Sequence, residues 1–326
     1  MKINIYDEDL KRISIVADQF ISCLWEEGFN TTGSFTLELQ KTDEYKRKIR
    51  PNYYVGRDDR KTMMVIKSVV INKNTIVASG KTADRILDDV AFIGTIEEGQ
   101  KIDETVFLAY NKSNKYRQLD FAETHLGVSN DHQISNVSFQ KLCQTMSREA
   151  DLGFKVVRSG NKLIATFYKP IVNEKAIFSE KYGNLILNAL TLSTENEKNY
   201  AIVLGEGEDA NRKKEIVDFT NGDDRREIII DARDIQKEDE ETDTEYQKRL
   251  FARGVEKLLE HQKTWECAIN ISDVDFGDKF DLGDICKVLL TDYGIKLNAK
   301  ISKFSQKEQK NKIETTIRVG NITIVR

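Results

Sequence analysis

Proline, histidine and cysteine are scarce in this chain: 326 residues hold two prolines, three histidines and four cysteines. The histidines stand apart, so the H-E-x-x-H metalloprotease pattern is missing, and no G-x-S-x-G elbow is present either. Cys23, Cys143, Cys267 and Cys286 are far apart in the sequence with no C-x-x-C pair. Neither a zinc site nor a disulfide framework is indicated, and free thiols made in a reducing cytoplasm are expected. No apolar run approaches the ~18 residues of a membrane-spanning helix. The opening Met1-Lys-Ile-Asn-Ile-Tyr-Asp begins a strand with no apolar region behind it, so no signal peptide is expected. An excess of one charge is also lacking: 50 Lys and Arg stand against 54 Asp and Glu, for a net charge of -4. The cations are spread among the anions, which argues against tight non-specific binding to nucleic acid, an affinity that comes from neutralised phosphates.

What is there is mostly the alternation of apolar and polar residues that marks half-buried strands. Ile3 and Ile5 lead into an Asp7-Glu8-Asp9 turn, and Ile13 and Ile15 return. Phe20 to Trp25, a polar loop through Gly33, and Phe35 to Leu39 follow, then a hairpin of Met63 to Ile71 and Ile76 to Ala78 around Asn72-Lys73-Asn74. Tyr45–Ile49 and Ala83–Val90 read as short helices, the second capped by Thr82. Together these suggest a small β-barrel or sandwich. After a polar, irregular region, Ser138 can cap a helix with Leu142, Cys143, Met146 and Ala150 on one face, closed by Gly153. Phe154 to Val157 then pairs with Leu163 to Phe167 across Ser159-Gly160-Asn161, an α+β segment.

From about residue 176 strands return. Leu185 to Leu192 and Tyr200 to Leu204 read as a hairpin around Ser193 to Lys198, faintly repeating the layout of Phe20 to Leu39. Thr242 with Glu245 forms a capping box for a long helix whose apolar face holds Tyr246, Leu250, Phe251, Gly254, Val255, Leu258 and Leu259. Strands over Trp265–Ile271, Ile285–Leu290, Ile295–Phe304 and Thr315–Val325 complete the chain.

Several stretches imitate functional motifs and fail on their chemistry. Gly205-Glu-Gly207-Glu-Asp-Ala210 fits G-x-G-x-x-[GA], yet Glu206, Glu208 and Asp209 put carboxylates where a pyrophosphate would sit. Gly80-Lys81-Thr82 lacks the earlier glycine of a phosphate loop, because Thr75 occupies that place. The run Asp273-Val-Asp275-Phe-Gly-Asp278 has its glycine one place early for a calcium loop, and its twelfth residue, Asp284, is an aspartate rather than a glutamate. Asp223-Asp224 and Asp231-Asp234 lie beside Arg225, Arg226 and Arg233, so ion pairing is expected instead of a carboxylate dyad. His125 and His132 have no companion ligand and read as loop residues. No residue is assigned a catalytic, cofactor-binding or metal-ligating role.

The order of certain pieces resembles a known family. These are the opening Ile-Tyr-Asp, Trp25 followed by Gly33-Ser-Phe-Thr-Leu, Ser79-Gly-Lys-Thr-Ala-Asp-Arg-Ile-Leu, and Gly153-Phe-Lys-Val. Further along come Gly205-Glu-Gly-Glu, the Asp224–Asp234 signature, and Leu282-Gly-Asp284 before Tyr293-Gly294. Over nearly the whole chain they resemble the tail-hub proteins of siphoviruses and prophages, themselves similar to contractile baseplate hubs. The resemblance implies an α+β, mainly β fold with two tube-type antiparallel β-barrel domains, over 1–92 and 176–326, the latter with a helical insert at about 236–263. An α+β domain over 93–175 lies between them. It implies a non-enzymatic structural protein of the virion tail tip, made in the host bacterial cytoplasm, that joins as a homotrimer ring to continue the tail tube. Distal tail protein and tape measure protein would be its partners, with a separate receptor-binding protein as a further one, and DNA would only pass through. Many relatives carry C-terminal extensions with wall-cleaving or host-binding modules; with the sequence ending at Arg326 after its last strand, none is expected here. The alternatives are a carbohydrate-binding receptor module, which needs exposed aromatics where Trp25 and Trp265 fall in patterned strands, and a cell-wall hydrolase, which needs a carboxylate or Cys/His site.

Overall fold

The computed structural model describes residues 2–17, 20–113, 116, 118–131, 133–208, 212–222, 224–238, 241–261, 264–270, 276–277, 279–291, 295–309 and 312–324. The chain divides into two compact units, Met1–Ala189 with Ala268–Arg326, and Leu190–Cys267.

In chain order the first unit begins with β1 (Lys2–Tyr6), β2 (Arg12–Ala17), β3 (Phe20–Gly28), β4 (Thr31–Gln40), α1 (Asp43–Lys48), β5 (Tyr54–Arg57), β6 (Met63–Ile71) and β7 (Thr75–Thr82). A 3-10 turn over Ala83–Asp89 leads to β8 (Ala91–Ile96), α2 (Ile102–Lys112), β9 (Leu119–Phe121), β10 (Ile134–Ser138), α3 (Phe139–Glu149), β11 (Gly153–Ser159), β12 (Lys162–Tyr168) and β13 (Val172–Ser179). The chain crosses to the second unit within β14 (Ile186–Ser193). That unit holds β15 (Tyr200–Leu204), β16 (Lys214–Asp218), β17 (Glu227–Asp231) and α4 (Asp243–Glu260). It returns within β18 (Thr264–Asn270), and β19 (Ile285–Leu290), β20 (Ile295–Gln309) and β21 (Lys312–Ile324) finish the first unit.

The fold is mainly β with few helices. In the first unit the strands run β21-β20-β3-β4-β7-β6-β5-β1-β2, with β19 on β20 and β13 on β19. Among the described residues this path does not close on itself. Alternation sets its register: Cys23, Trp25, Leu37 and Phe35 are buried on one face of β3 and β4, and Trp25 lies opposite both Phe35 and Gln306. A second cluster packs the 3-10 turn, α2 and α3 around Phe121, Phe139 and Phe154, with Tyr110 edge-on to Phe139 at 5.2 Å. The β11–β12 hairpin expected from sequence forms, with Ser159 already paired opposite Lys162.

Several expectations are corrected. Thr82 does not cap the 3-10 turn with its side chain; its hydroxyl accepts a hydrogen bond from Gly33 N at 2.8 Å. Gly33 itself lies inside β4, where an added Cβ would meet the Glu26 carbonyl. Gly153 starts β11 under the ring of Tyr168, while Asp151 takes the left-handed conformation (φ 52°) after α3. Helix α2 occupies part of the region read as irregular; Lys101 offers no side-chain cap, and Leu108 is exposed among its apolar residues, so neither end nor face stood out.

In the second unit β15 does not fold back on β14. It is the centre of a three-stranded sheet, antiparallel to β16 and parallel to β17. A strand apolar on both faces suits a central place: Ala201 and Val203 pack with Val217 and Ile230 against Tyr246, Leu250 and Leu258 of α4. The charged stretch between β15 and β17 thus contains β16. The α4 capping box forms as expected, Thr242 and Glu245 each bonding the other's backbone N–H. Phe251, however, is 42% exposed, and the side chain of Leu259 lies outside the described residues. Gly205 is required because a Cβ there would come within 2.3 Å of the Tyr246 hydroxyl, and Gly207 because its φ is 105°.

Candidate functional site

Within the first unit a cavity of about 840 Å³ is lined by β3, the turn after β5, β11, β12, and Phe276, Gly277, Asp281 and Leu282. Its most organised group is Glu27. Strand alternation turns Trp25 and Glu27 to the same face, and the indole Nε1 donates to Glu27 Oε1 at 2.7 Å. Thr62 donates its hydroxyl to the other carboxylate oxygen at 2.8 Å. Arg60 stands 3.8 Å from Oε1, and its guanidinium lies 4.1 Å from the centroids of both Phe276 and Phe304, two rings that stack on each other at 4.2 Å. Such stacking holds a desolvated cation without a second carboxylate.

Other charges around the cavity are matched locally. Arg57 forks onto Asp59 at 2.9 and 2.5 Å. Burial acts to raise the Asp59 pKa, yet the Arg57 bond and charge outweigh it and leave it lowered. Lys155 lies 3.4 Å from Asp281 and 4.5 Å over the Tyr168 ring, while the Tyr168 hydroxyl donates to Leu282 O at 3.0 Å. Asp84 is buried and accepts from Thr32 and Gln140 at 3.0 and 2.9 Å; burial raises its pKa despite these bonds. Asn30 donates to Leu152 O and accepts from Phe154 N. Among the described residues, each of these acids is engaged by a neighbour, an arrangement that ties distant segments together.

None of these residues was singled out from sequence as a site, because Glu27, Arg60, Thr62, Phe276 and Phe304 are joined only by the fold. Of the stretches that imitate motifs, Thr82 and the Phe276-Gly277 pair line the cavity, and the others lie elsewhere. Asp231 pairs with Arg212 at 2.6 Å and with the adjacent Arg233; Asp234 pairs with Arg253 of α4. Of the expected local pairs only Asp231 with Arg233 is present among the described residues; Asp234 finds its partner across the fold, and Arg225 and Arg226 take other carboxylates. Arg226 reaches Glu197 and Arg225 reaches Glu227. His125 is exposed, 3.4 Å from Glu104, and His261 ends α4 with Nδ1 3.2 Å from Asn196 O. Asp209, Ala210, Asp223, His132, Asp273, Asp275, Asp278, Tyr293 and Gly294 lie outside the described residues, as do the side chains of Trp265 and Cys267. Cys23, Cys143 and Cys286 are free and buried. Among the described residues, no cluster of His, Cys, Asp or Glu could hold a metal, and no helix is long and apolar enough to cross a membrane.

A family model described as Siphovirus ReqiPepy6 Gp37-like protein matches residues 2–321. The chain belongs to this family. The resemblance to siphovirus and prophage tail hubs read from the sequence therefore stands. No curated protein matches. Solved structures with the same fold as this Gp37-like protein include a prophage MuSo2 43 kDa tail protein from Shewanella oneidensis, with TM-score 0.63 and 13% identity, covering 98% of each chain. A tail protein from Neisseria meningitidis MC58 gives TM-score 0.62 at 11% identity over 98% of this chain and 96% of that one. Prophage tail protein gp18 from Listeria monocytogenes EGD-e gives 0.58 at 11% over 98% and 94%. At these identities the likeness speaks for the fold.

Proposed function

We propose that this Gp37-like chain is a structural hub of the phage or prophage tail tip, forming a homotrimer ring that caps and continues the tail tube and gates passage of tape measure protein and DNA. One observation carries the reading: the family match spans residues 2–321, and the fold likeness to three tail proteins, two of them from prophages, runs through at least 94% of each of those chains. In this reading residues 1–92 and 176–326 are the two tube-type β-barrel domains, closed by neighbouring copies, and 93–175 is the α+β domain between them. Distal tail protein seats the ring, and a separate receptor-binding protein provides host recognition. A net charge of -4 suits a channel that must release a polyanion rather than hold it.

The role is structural rather than enzymatic, in keeping with the pairing of the acids around Glu27. A carbohydrate platform is not favoured by Trp25, which is fully buried. Immunogold electron microscopy of particles from the producing strain, with an antibody against this chain, tests the proposal. Label confined to the tail tip is expected; label absent from particles, with the protein free in the cytoplasm, would overturn it.

A further inference from the structure

Among the described residues of the second unit, α4 packs on one face of the three-stranded sheet, and the other face exposes Ile216 and Ile229. Side chains directly opposite one another in a sheet share a face, so the register places three rows on the open side. The middle row is Ile216, Ile202 and Ile229. Ile229 is 68% and Ile216 39% exposed, and Ile202, in the central strand, is half-buried. On one side of it lie Lys214, Leu204 and Asp231, with Arg212 and Arg233 both on Asp231. On the other lie Asp218, Tyr200 and Glu227, with Arg225 stacked 3.6 Å over Tyr200 and paired to Glu227. The first flank carries three cations and one carboxylate, the second two carboxylates and one cation. An apolar stripe between a cationic and an anionic border is complementary to itself.

We propose that this face is a contact surface for a second copy of the chain, turned by a two-fold axis that runs along the isoleucine row. That rotation lays each isoleucine on its counterpart. It sets Asp218 against Lys214 of the second copy, and the reverse, and brings Glu227 opposite Asp231, whose charge Arg212 and Arg233 already offset and outnumber. Such an isologous patch needs only self-complementarity, and no other occupant is required to explain both borders. With strands ~4.8 Å apart and ~3.4 Å per residue, the face covers roughly 240 Å². That is well below the ~800 Å² per partner of a stable complex, so the contact is weak and acts where copies are concentrated or already held close. It is independent of the ring: a two-fold contact on this face pairs chains or rings, and does not build a ring of three.

Sedimentation velocity of the full chain, from micromolar to near-millimolar, reads the contact. Wild type is expected to associate with rising concentration into even multiples of its smallest species. Lys214→Asp and Asp218→Lys each set like charges together and are expected to weaken that step by about tenfold or more. The double variant Lys214→Asp/Asp218→Lys restores opposite charges and is expected to recover it. Ile229→Lys removes the step while leaving any ring of three intact. All four variants change exposed side chains, and circular dichroism checks their folding. Absence of concentration dependence in wild type, association unchanged in Ile229→Lys, or a double variant no better than the singles would each overturn the proposal.

Discussion

Glu27 shows how one carboxylate can fix several segments. Replacing it with alanine leaves the Trp25 indole N–H and the Thr62 hydroxyl without their acceptor, and removes the largest of the acidic charges acting on Arg60. Glu27→Ala is expected to lower unfolding free energy by about 3 kcal/mol in urea titration, with Glu27→Gln costing less because an amide oxygen still accepts. Tyr246 performs a smaller version of the task, accepting from Glu206 N at 2.8 Å and donating to Ile235 O at 3.0 Å. Tyr246→Phe is expected to cost about 1–3 kcal/mol by the same titration. The thiols should be inert: burial pushes Cys23 and Cys286 up to about 12 and Cys143 well up. Alkylation followed by peptide mass spectrometry should find all three unlabelled in the native protein and labelled in denaturant. At this scale the sequence was least informative. Nothing local distinguishes Glu27 from the other acids of a chain so rich in them, whereas Trp25 was placed inside from its strand alone.

Elements were legible where one face repeats. The alternation of β3 and β4 and the capped stripe of α4 are signals a sequence carries by itself. Pairing was less so: β14 and β15 are neighbours in sequence, but β15 takes its partners further along, and β16 hides among charges because only one of its faces is buried. The α4 cap gives a direct test, since Thr242→Ala removes both hydroxyl bonds and is expected to cost about 1 kcal/mol in thermal or urea unfolding. Asp84, at the 3-10 turn, provides a pH test. Its folded pKa lies above the ordinary aspartate value of about 3.9. The folded state therefore binds more protons than the unfolded one between those two values, so this group's contribution to stability rises as pH falls through that window. Asp84→Asn lacks this contribution; the stability difference between wild type and variant should shift toward wild type on acidification, and urea midpoints across that range would measure it.

At the scale of the whole molecule, charge balance predicts behaviour toward DNA. With a net charge of -4 and cations paired to neighbouring acids, the protein should bind duplex DNA more weakly than the ~10⁻⁴–10⁻⁶ M of ordinary non-specific binders at physiological salt. Fluorescence anisotropy at low and physiological salt would test this. The pairing of β3 with β20 has another consequence, one of timing. Trp25 faces Gln306, so at ~5–20 residues per second a ribosome needs roughly 15–55 seconds after making β3 to deliver its partner. Throughout that interval one flank of β3 is an unpaired template with Cys23 and Trp25 beside it. Nascent chains of such a protein depend on β4 and β7 forming early, or on a chaperone, to keep neighbouring polysomal chains from pairing with one another before the last strands emerge.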